Sequence, residues 1–165
     1  MGGNNPNLKS SMGHDVMPGA SLRVWRDYFP NARIIGLDID KDLLFSEDRI
    51  ETFYVDQTSR ESIMDFLNKA SLSESSAIDI VIDDGLHEFH AGRLLFENLI
   101  DALSDDGVYF IEDVKQEDVI LYSEFFADLS SKYHAQIVNL YRPNYRLKNN
   151  SLIVVRKKVN GRIGK

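Results

Sequence analysis

Two short acidic segments carry the side chains of this chain that are best suited to chemistry. Each is an apolar run of strand length followed directly by two carboxylates: Ile80-Val81-Ile82-Asp83-Asp84-Gly85-Leu86-His87 and Val108-Tyr109-Phe110-Ile111-Glu112-Asp113. The amphipathic stretch between them has the length of one crossover helix, which predicts two parallel, adjacent strands. Both acid pairs then meet at the carboxyl edge of the sheet, where open α/β sheets bind ligands. Because clustered carboxylates repel one another unless a cation joins them, the pattern predicts a binding site.

The acids of these segments suit a hard metal ion. Asp84, Glu112 and Asp113 offer the oxygen ligands that Mg²⁺ prefers, and such an ion keeps positions open for water or substrate. The alternative is that one or two of them cap the following helices while solvent relieves the repulsion; we favour the metal.

His87 follows Asp84 by three residues, at the predicted start of a helix that faces the same edge. Beside carboxylates, a histidine is a candidate general base because its pKa lies near working pH. The alternative is an ordinary surface or helix-start histidine.

Two earlier strands also end in polar residues. Asp38 follows a predicted strand in an alternating βα pattern, where an acid commonly accepts the hydroxyls of a nucleotide ribose. Asp56 and Gln57 follow the next strand, where a carboxylate and an amide could contact an adenine edge. Helix capping or turn formation explains each residue equally well in isolation. The coincidence of four successive strands ending in acids favours a shared site.

The elements that must position these residues form an alternating βα body with an antiparallel end. A helix is predicted over residues 20–29, with Ser21 as its N-cap and Pro30 as its stop. A capping box at residues 58–61 opens a helix to about Lys69. The remaining predictions are strands at 33–37, 52–55, from 78 and from 108, helices at 87–103 and 116–133, a turn at 105–107, and a hairpin of strands 136–141 and 152–156.

Composition limits the class of protein. The chain has 165 residues, 43% of them hydrophobic, which predicts one globular domain over residues 1–165. The absence of cysteine excludes disulfides, thiolate zinc sites and cysteine nucleophiles. A net charge of −7 disfavours nucleic-acid partners. No membrane-length apolar run or signal-peptide layout is found, so we expect a cytoplasmic protein without a membrane partner; the sequence is also compatible with a homo-oligomer.

A longer block then brings a family resemblance. The segment Gly19-Ala20-Ser21-Leu22-Arg23-Val24-Trp25-Arg26-Asp27-Tyr28-Phe29-Pro30-Asn31-Ala32 resembles the class I S-adenosylmethionine-dependent methyltransferases of the macrocin and mycinamicin sugar O-methyltransferase type. Their hallmarks recur as Gly36-Leu37-Asp38-Ile39-Asp40, Val55-Asp56-Gln57, Asp83-Asp84-Gly85-Leu86-His87 and Ile111-Glu112-Asp113. The resemblance implies a Rossmann-like, mostly parallel sheet with an antiparallel C-terminal strand.

The resemblance also implies roles for the site residues. Asp84, Glu112 and Asp113 would bind Mg²⁺, and His87 would deprotonate a sugar or glycoside hydroxyl. The cofactor S-adenosylmethionine would be bound by Gly2, Gly3, Ser21, Asp38, Asp56, Gln57 and Asp83, with Asp38 at its ribose and the Asp56–Gln57 pair near its adenine.

Two departures from the family pattern stand out. Leu86 stands where the family usually has serine, and we expect this departure to alter the substrate side of the pocket. Members begin their sheet with a strand that ends in an acidic, glycine-rich turn, whereas here only Met1 precedes Gly2 and Gly3. We therefore expect the first strand to be missing and the chain to be an N-terminally truncated version of a longer enzyme.

Two other functions remain open. A nucleotide-sugar glycosyltransferase would use Asp38-Ile39-Asp40 as a metal-binding D-x-D motif, but it leaves Asp84 and His87 unexplained. A catalytically inactive methyltransferase domain, kept for cofactor binding or association, is the non-enzymatic alternative. Titration with S-adenosylmethionine distinguishes these possibilities.

Overall fold

A computed structural model describes residues 17–73, 77–139 and 149–158. Gly2 and Gly3, and most of the predicted hairpin connection, lie outside the described residues. The helices are α1 (Ala20–Tyr28), α2 (Arg60–Lys69), α3 (Phe89–Leu99) and α4 (Val119–Asp128), with a short 3-10 helix at Lys41–Leu43. The strands are β1 (Ile34–Asp38), β2 (Ser46–Glu47), β3 (Ile50–Tyr54), β4 (Ile78–Asp83), β5 (Leu103–Lys115), β6 (Tyr133–Asn139) and β7 (Asn149–Lys157).

The chain divides into two compact units, Met1–Phe66 and Leu67–Lys165. The single domain expected over residues 1–165 stays a prediction. No helix in the described ranges is long and apolar enough to cross a membrane.

The first unit contains a three-stranded sheet in the order β1-β3-β2. The two strands predicted near residues 33–37 and 52–55 are confirmed as β1 and β3, which pair in parallel with Asp38 opposite Tyr54. The short strand β2, which no sequence pattern predicted, forms a tight hairpin with β3. Arg49, in the turn of this hairpin, has φ 58° and donates hydrogen bonds to the carbonyls of Arg26, Phe29 and Ala32. The bond to Arg26 satisfies a carbonyl in the last turn of α1, where the helix leaves it without a partner, and the other two bonds fix the segment that follows the helix.

Two predicted helix caps in this unit are wrong. Gly19, at φ 77°, is the N-cap of α1, and Ser21 lies exposed within the first turn. Only a residue tolerant of the left-handed region fits the entry to this helix, which explains the glycine. For α2, Ser59 Oγ accepts the backbone N–H of Ser62 at 3.2 Å, so the cap is one residue later than Thr58.

The second unit contains a four-stranded sheet in the order β4-β5-β7-β6. β4 and β5 are parallel neighbours, and the last two strands pair antiparallel, as predicted. The side chain of Phe96 on α3 is buried among aromatic rings from β5, α4 and β6: Tyr109, Phe125, Phe126 and Tyr133, with ring centroids 5.1–5.8 Å away. Edge-to-face contacts of this kind are favourable beyond the area they bury, so they fix α3 against the sheet.

Three sequence-based boundaries in this unit are also wrong. α3 begins at Phe89, because His87 has φ 55° and cannot continue a right-handed helix. The predicted turn at residues 105–107 lies inside β5 as an irregularity, where the pairing with β4 shifts between Ile78 and Ile80. The helix predicted over residues 116–133 is shorter, because residues 116–118 form a turn after β5 and the residues after Asp128 form turns before β6 begins at Tyr133.

β1 and β4 are both edge strands in the part of the chain that the structure describes. Among the described residues, β1 pairs with β3 alone and β4 pairs with β5 alone. Within residues 17–73, 77–139 and 149–158, neither strand has the additional parallel partner that the first strand of a class I methyltransferase sheet would provide, which is consistent with the expected missing strand.

Candidate active site

The candidate site lies where β4 ends beside β5. Asp83, the last residue of β4, pairs with Ile111, so Asp84 leaves the sheet at the level of Glu112. Ligand atoms of Asp84, His87 and Asp113 all lie within 4.8 Å of one another. The predicted convergence of the two acidic segments is therefore confirmed within the second unit.

A β-bulge places Asp113. Ile111 pairs with Ile153 and Val114 with Ser151, so β5 has one more residue than β7 across this interval. Asp113 has φ 48°, and its side chain is exposed. The prediction that the strand ends at this acid is wrong, since β5 continues to Lys115. Bulges redirect side chains and are frequent next to active sites. This bulge changes the direction of the Asp113 side chain relative to the regular strand.

His87 lies in the loop between β4 and α3. Its Nε2 is 3.0 Å from Asp84 Oδ1, and its side chain is 23% exposed against 60% for Asp84. The hydrogen bond to Asp84 raises the pKa of His87, and the charges of Asp84, Asp113 and Asp83 act in the same direction, against a smaller opposing effect of burial. Left-handed backbone at both His87 and Asp113 costs of order 1–3 kcal/mol each and is concentrated at functional sites.

Glu112 is not among the three clustered ligands, although it was predicted as a metal ligand. Burial raises its pKa, and the charges of Asp84 and Asp113 raise it further, while His87 lowers it. Glu112 is therefore half-buried within electrostatic reach of the cluster.

Asp83 differs from the other acids because it is buried, with 5% of its surface exposed. Its Oδ2 would lie 3.3 Å from a Cβ placed on Gly92 of α3, and that Cβ would collide with the hydroxyl of Tyr122 on α4. The charge of Asp83 also raises the pKa of buried Tyr109 and of Tyr122, although burial is the larger cause for both. Neither Tyr122 nor Gly92 was predicted to lie near the site; the available signal was a glycine inside an amphipathic helix.

The predicted cofactor residues of the first unit lie at strand ends and in a helix. Asp38 Oδ1 accepts the backbone N–H of Asp40 at 2.9 Å. Asp56 Oδ1 accepts both the backbone N–H of Thr58, at 2.9 Å, and its hydroxyl, at 2.7 Å. Both carboxylates thus support local turns. Asp38, Asp56 and Gln57 are half-buried, whereas Ser21 is exposed on α1.

The donor set of the second unit fits a hard divalent cation. Asp84 and Asp113 supply exposed carboxylates close together, and Glu112 adds a third on the same edge. Oxygen-rich, accessible sites of this kind suit Mg²⁺, which retains several waters. The third member of the group of Asp84, His87 and Asp113 offers a ring nitrogen. Nitrogen is a less suitable ligand for Mg²⁺ than a carboxylate oxygen.

Comparison with characterised proteins gives partial sequence matches. No protein-family model matches the chain. A Streptomyces olivaceus enzyme named 8-demethyl-8-(2-methoxy-alpha-L-rhamnosyl)-tetracenomycin-C 3'-O-methyltransferase is 38% identical over 96 residues, 58% of this chain and 23% of that protein. The mycinamicin VI 2''-O-methyltransferase of Micromonospora griseorubida is 38% identical over 101 residues, 61% of this chain and 24% of that protein. The match thus spans about a quarter of each relative.

Solved structures match over more of the chain. The MycE methyltransferase of the mycinamycin biosynthetic pathway, in complex with Mg, SAH and mycinamycin VI, is 28% identical, with a TM-score of 0.63 over 94% of this chain and 44% of its own. Human methyltransferase-like protein 13 in complex with SAH is 14% identical, with a TM-score of 0.57, and supports the fold alone. The chain therefore has a class I methyltransferase fold and, over about three fifths of its length, resembles the macrocin- and mycinamicin-type sugar O-methyltransferases.

Proposed function

We propose that this chain contributes the metal and base residues of an S-adenosylmethionine-dependent, Mg²⁺-assisted O-methyltransferase that acts on a sugar or glycoside hydroxyl. The observation that carries the proposal is the convergence of Asp84, His87 and Asp113 beside β4 and β5. The similarity to named sugar O-methyltransferases and to MycE with Mg and SAH supports the same chemistry.

Asp84 and Asp113, with Glu112 as the third carboxylate, would hold the ion. When bound, Mg²⁺ would lower the pKa of an acceptor hydroxyl and fix its orientation, while S-adenosylmethionine would supply the methyl group. The exposed carboxylates are accessible to a hydrated ion, and their mutual repulsion would be relieved by it.

His87 would act as the general base. The tautomer that donates Nε2–H to Asp84 leaves the lone pair on Nδ1, which can take the hydroxyl proton. The acceptor oxygen then forms a bond to the methyl carbon, and the carbon–sulfur bond breaks with its electron pair going to sulfur. Asp84 orients the imidazole and stabilises the imidazolium that forms.

The cofactor roles of Gly2, Gly3, Ser21, Asp38, Asp56, Gln57 and Asp83 belong to the same proposal. Asp38 would accept ribose hydroxyls, and Asp56 with Gln57 would lie near the adenine. The absence of nucleic-acid and membrane partners and the compatibility with a homo-oligomer stay predictions.

The structure disfavours the glycosyltransferase alternative. Asp40 is buried, and its Oδ1 accepts the backbone N–H of Asp42 at the start of the 3-10 helix. Asp38 in turn accepts the backbone N–H of Asp40. Both acids of the D-x-D motif therefore accept backbone N–H groups within one turn. The glycosyltransferase alternative also gives the Asp84–His87 pair no role.

Calorimetry with S-adenosylhomocysteine, with and without Mg²⁺, tests the proposal. We expect binding of both ligands, and uridine diphosphate serves as the control ligand that the glycosyltransferase alternative requires. Binding of S-adenosylhomocysteine without any Mg²⁺ binding would favour the inactive binding domain. Binding of the nucleotide instead would contradict the methyltransferase proposal.

A further inference from the structure

The turn into α1 is covered by a ring from the segment just before β2. The side chain of Phe45 lies against Gly19, where any added Cβ would collide with the ring. Thr52 of β3 fixes the backbone of Phe45, because its Oγ1 accepts the N–H of Phe45 and donates to the carbonyl, both at 2.6 Å. One side of this turn is therefore formed by a ring whose own backbone is anchored to the sheet.

Arg23 of α1 joins the same turn to β2. Its Nε lies 3.1 Å from each carboxylate oxygen of Glu47, and its Nη2 donates to Oε1 at 2.6 Å. Its Nη1 donates to the carbonyl of Pro18 at 2.8 Å. The guanidinium Cζ also lies 4.9 Å from the centroid of the Phe45 ring. A single side chain thus contacts the backbone before α1, the ring that lies on Gly19 and the carboxylate of β2.

The start of α1 needs support from such side chains. Gly19 is the N-cap, at φ 77°, and it offers no side chain to cap the helix. Glycine also has the largest backbone freedom of any residue, so the turn is not held by its own stereochemistry. Its carbonyl accepts the N–H of Arg23 at 3.2 Å, which closes the first turn of the helix. The contacts of Arg23 and Phe45 therefore supply the restraint that a capping side chain provides elsewhere.

The contact between Arg23 and Glu47 is charge-assisted. Their hydrogen bond lowers the pKa of Glu47 and raises that of Arg23, so both groups stay charged at neutral pH. Their side chains are partly withdrawn from water, with 24% and 34% exposed. A planar guanidinium can stack on a ring and bind a carboxylate through several N–H groups, whereas lysine offers only a point charge. The arrangement therefore requires arginine at position 23.

We infer that Arg23 is a positioning residue that fixes the turn into α1 and so presents Ser21, in the first turn of the helix, for contact with S-adenosylmethionine. The inference rests on the proposed function for the role of Ser21, whereas the contacts of Arg23 do not depend on it. It also gives the two-residue strand β2 a purpose: its pairing with β3 sets Glu47 opposite Ile50 and so fixes the carboxylate that Arg23 binds.

Hydrogen exchange of Glu47→Gln tests the positioning directly, because the sequence of α1 is unchanged. We expect exchange of the amides of residues 23–25 to accelerate about fivefold, the scale of one weakened hydrogen bond, while amides of β4 and β5 are unaffected. The matched control is Glu51→Gln on β3, which weakens a similar pair with Arg33, at 3.2 and 2.8 Å. Unchanged exchange at residues 23–25, or an equal acceleration in Glu51→Gln, would overturn the inference.

Calorimetric titration with S-adenosylhomocysteine tests the functional part. We expect Arg23→Met to raise its Kd several-fold with unchanged Mg²⁺ affinity, whereas a general folding defect would weaken both. The double variant Arg23→Met/Glu47→Gln should raise the Kd no further, because both substitutions remove the same contact. Arg23→Lys should recover only part of the affinity, since it keeps the charge without the planar fork. Glu51→Gln should bind as the wild type does.

The two experiments separate this inference from the proposed function. Wild-type protein that binds no S-adenosylhomocysteine would contradict the proposed function, and hydrogen exchange would still decide whether Arg23 fixes the turn. Wild-type binding that is unchanged in Arg23→Met would contradict the positioning role. A Kd that rises further in the double variant would contradict joint action with Glu47, and full affinity in Arg23→Lys would contradict the need for a guanidinium.

Discussion

The imidazole Nε2 of His87 lies 3.0 Å from Asp84 Oδ1, across a loop in which only Gly85 and Leu86 separate the two residues. The contact forms because His87 adopts left-handed backbone, with φ 55°, before α3 begins. One carboxylate is thereby available both to orient the candidate base and to contribute to the ligand cluster with Asp113.

The first prediction concerns the protonation of His87 in metal-free protein. Its pKa is raised above 6.5 chiefly by the hydrogen bond to Asp84, so Asp84→Asn should lower it. Titration of the histidine ring signals by NMR measures both values, with His87→Gln to assign the signal. An equal pKa in wild type and Asp84→Asn would contradict the assigned cause.

The same shift has a consequence for stability. A pKa raised in the native state stabilises the fold fully below the unfolded pKa of about 6.5, and this contribution is lost as pH rises through the native pKa. Thermal unfolding of wild type and Asp84→Asn should therefore differ most at mildly acidic pH and converge at alkaline pH. The difference should be small, because both side chains are partly exposed to solvent. A difference in unfolding temperature between wild type and Asp84→Asn that grows with pH would contradict a raised pKa of His87 in the native state.

The second prediction concerns the base. His87→Ala should lower the methyl-transfer rate by about 10²–10⁴, the usual effect of removing a general base, and should leave S-adenosylhomocysteine affinity unchanged. His90→Ala is a matched control, since His90 lies on α3 with 67% of its side chain exposed. Normal turnover by His87→Ala would show that His87 is not the general base.

The third prediction concerns the metal ligands. Asp113→Asn should weaken Mg²⁺ binding by at least about tenfold, because even residues that only support metal ligands cost that much when replaced. Asp105→Asn, an exposed acid elsewhere on β5, serves as the control. Calorimetric titration with Mg²⁺ measures the affinities, and equal affinity in Asp113→Asn and wild type would contradict the site.

A companion titration distinguishes the two candidate ligand sets. If Glu112 binds the ion, Glu112→Gln should weaken Mg²⁺ binding as Asp113→Asn does, while His87→Ala should retain most of the affinity. The reverse pattern would show that the geometric group of Asp84, His87 and Asp113 is the ligand set, and that His87 is a ligand rather than the base.

The fourth prediction concerns the cofactor ribose. Asp38→Ala should weaken S-adenosylmethionine binding by roughly 1.5–3 kcal/mol, the scale of a hydrogen bond to a charged group. Since Asp38 also accepts the N–H of Asp40, Asp38→Asn is the sharper variant: it keeps an oxygen for that turn and removes the charge. Exposed Asp42→Asn is the control. Unchanged affinity in both Asp38 variants would exclude a ribose contact.

The sequence by itself determined that β4 and β5 are adjacent and parallel and that acidic side chains cluster beside them. Apolar runs that end in carboxylates, joined by one crossover helix, have few topologies available, because parallel strands need such a connection. The parallel pairing of β4 with β5, the antiparallel last pair and the clustering of Asp84 with Asp113 were therefore predictable.

Tertiary structure decided the fine placement of each side chain. Periodicity could not show that His87 lies before α3 rather than in it, that a bulge in β5 turns Asp113, or that Gly19 caps α1, because each depends on a single backbone angle or a one-residue register shift. The buried contacts of Asp83, Gly92 and Tyr122 were equally inaccessible, since they join β4, α3 and α4 across residues distant in sequence. Local patterns determine which elements form, whereas the packing between elements determines where their polar groups meet.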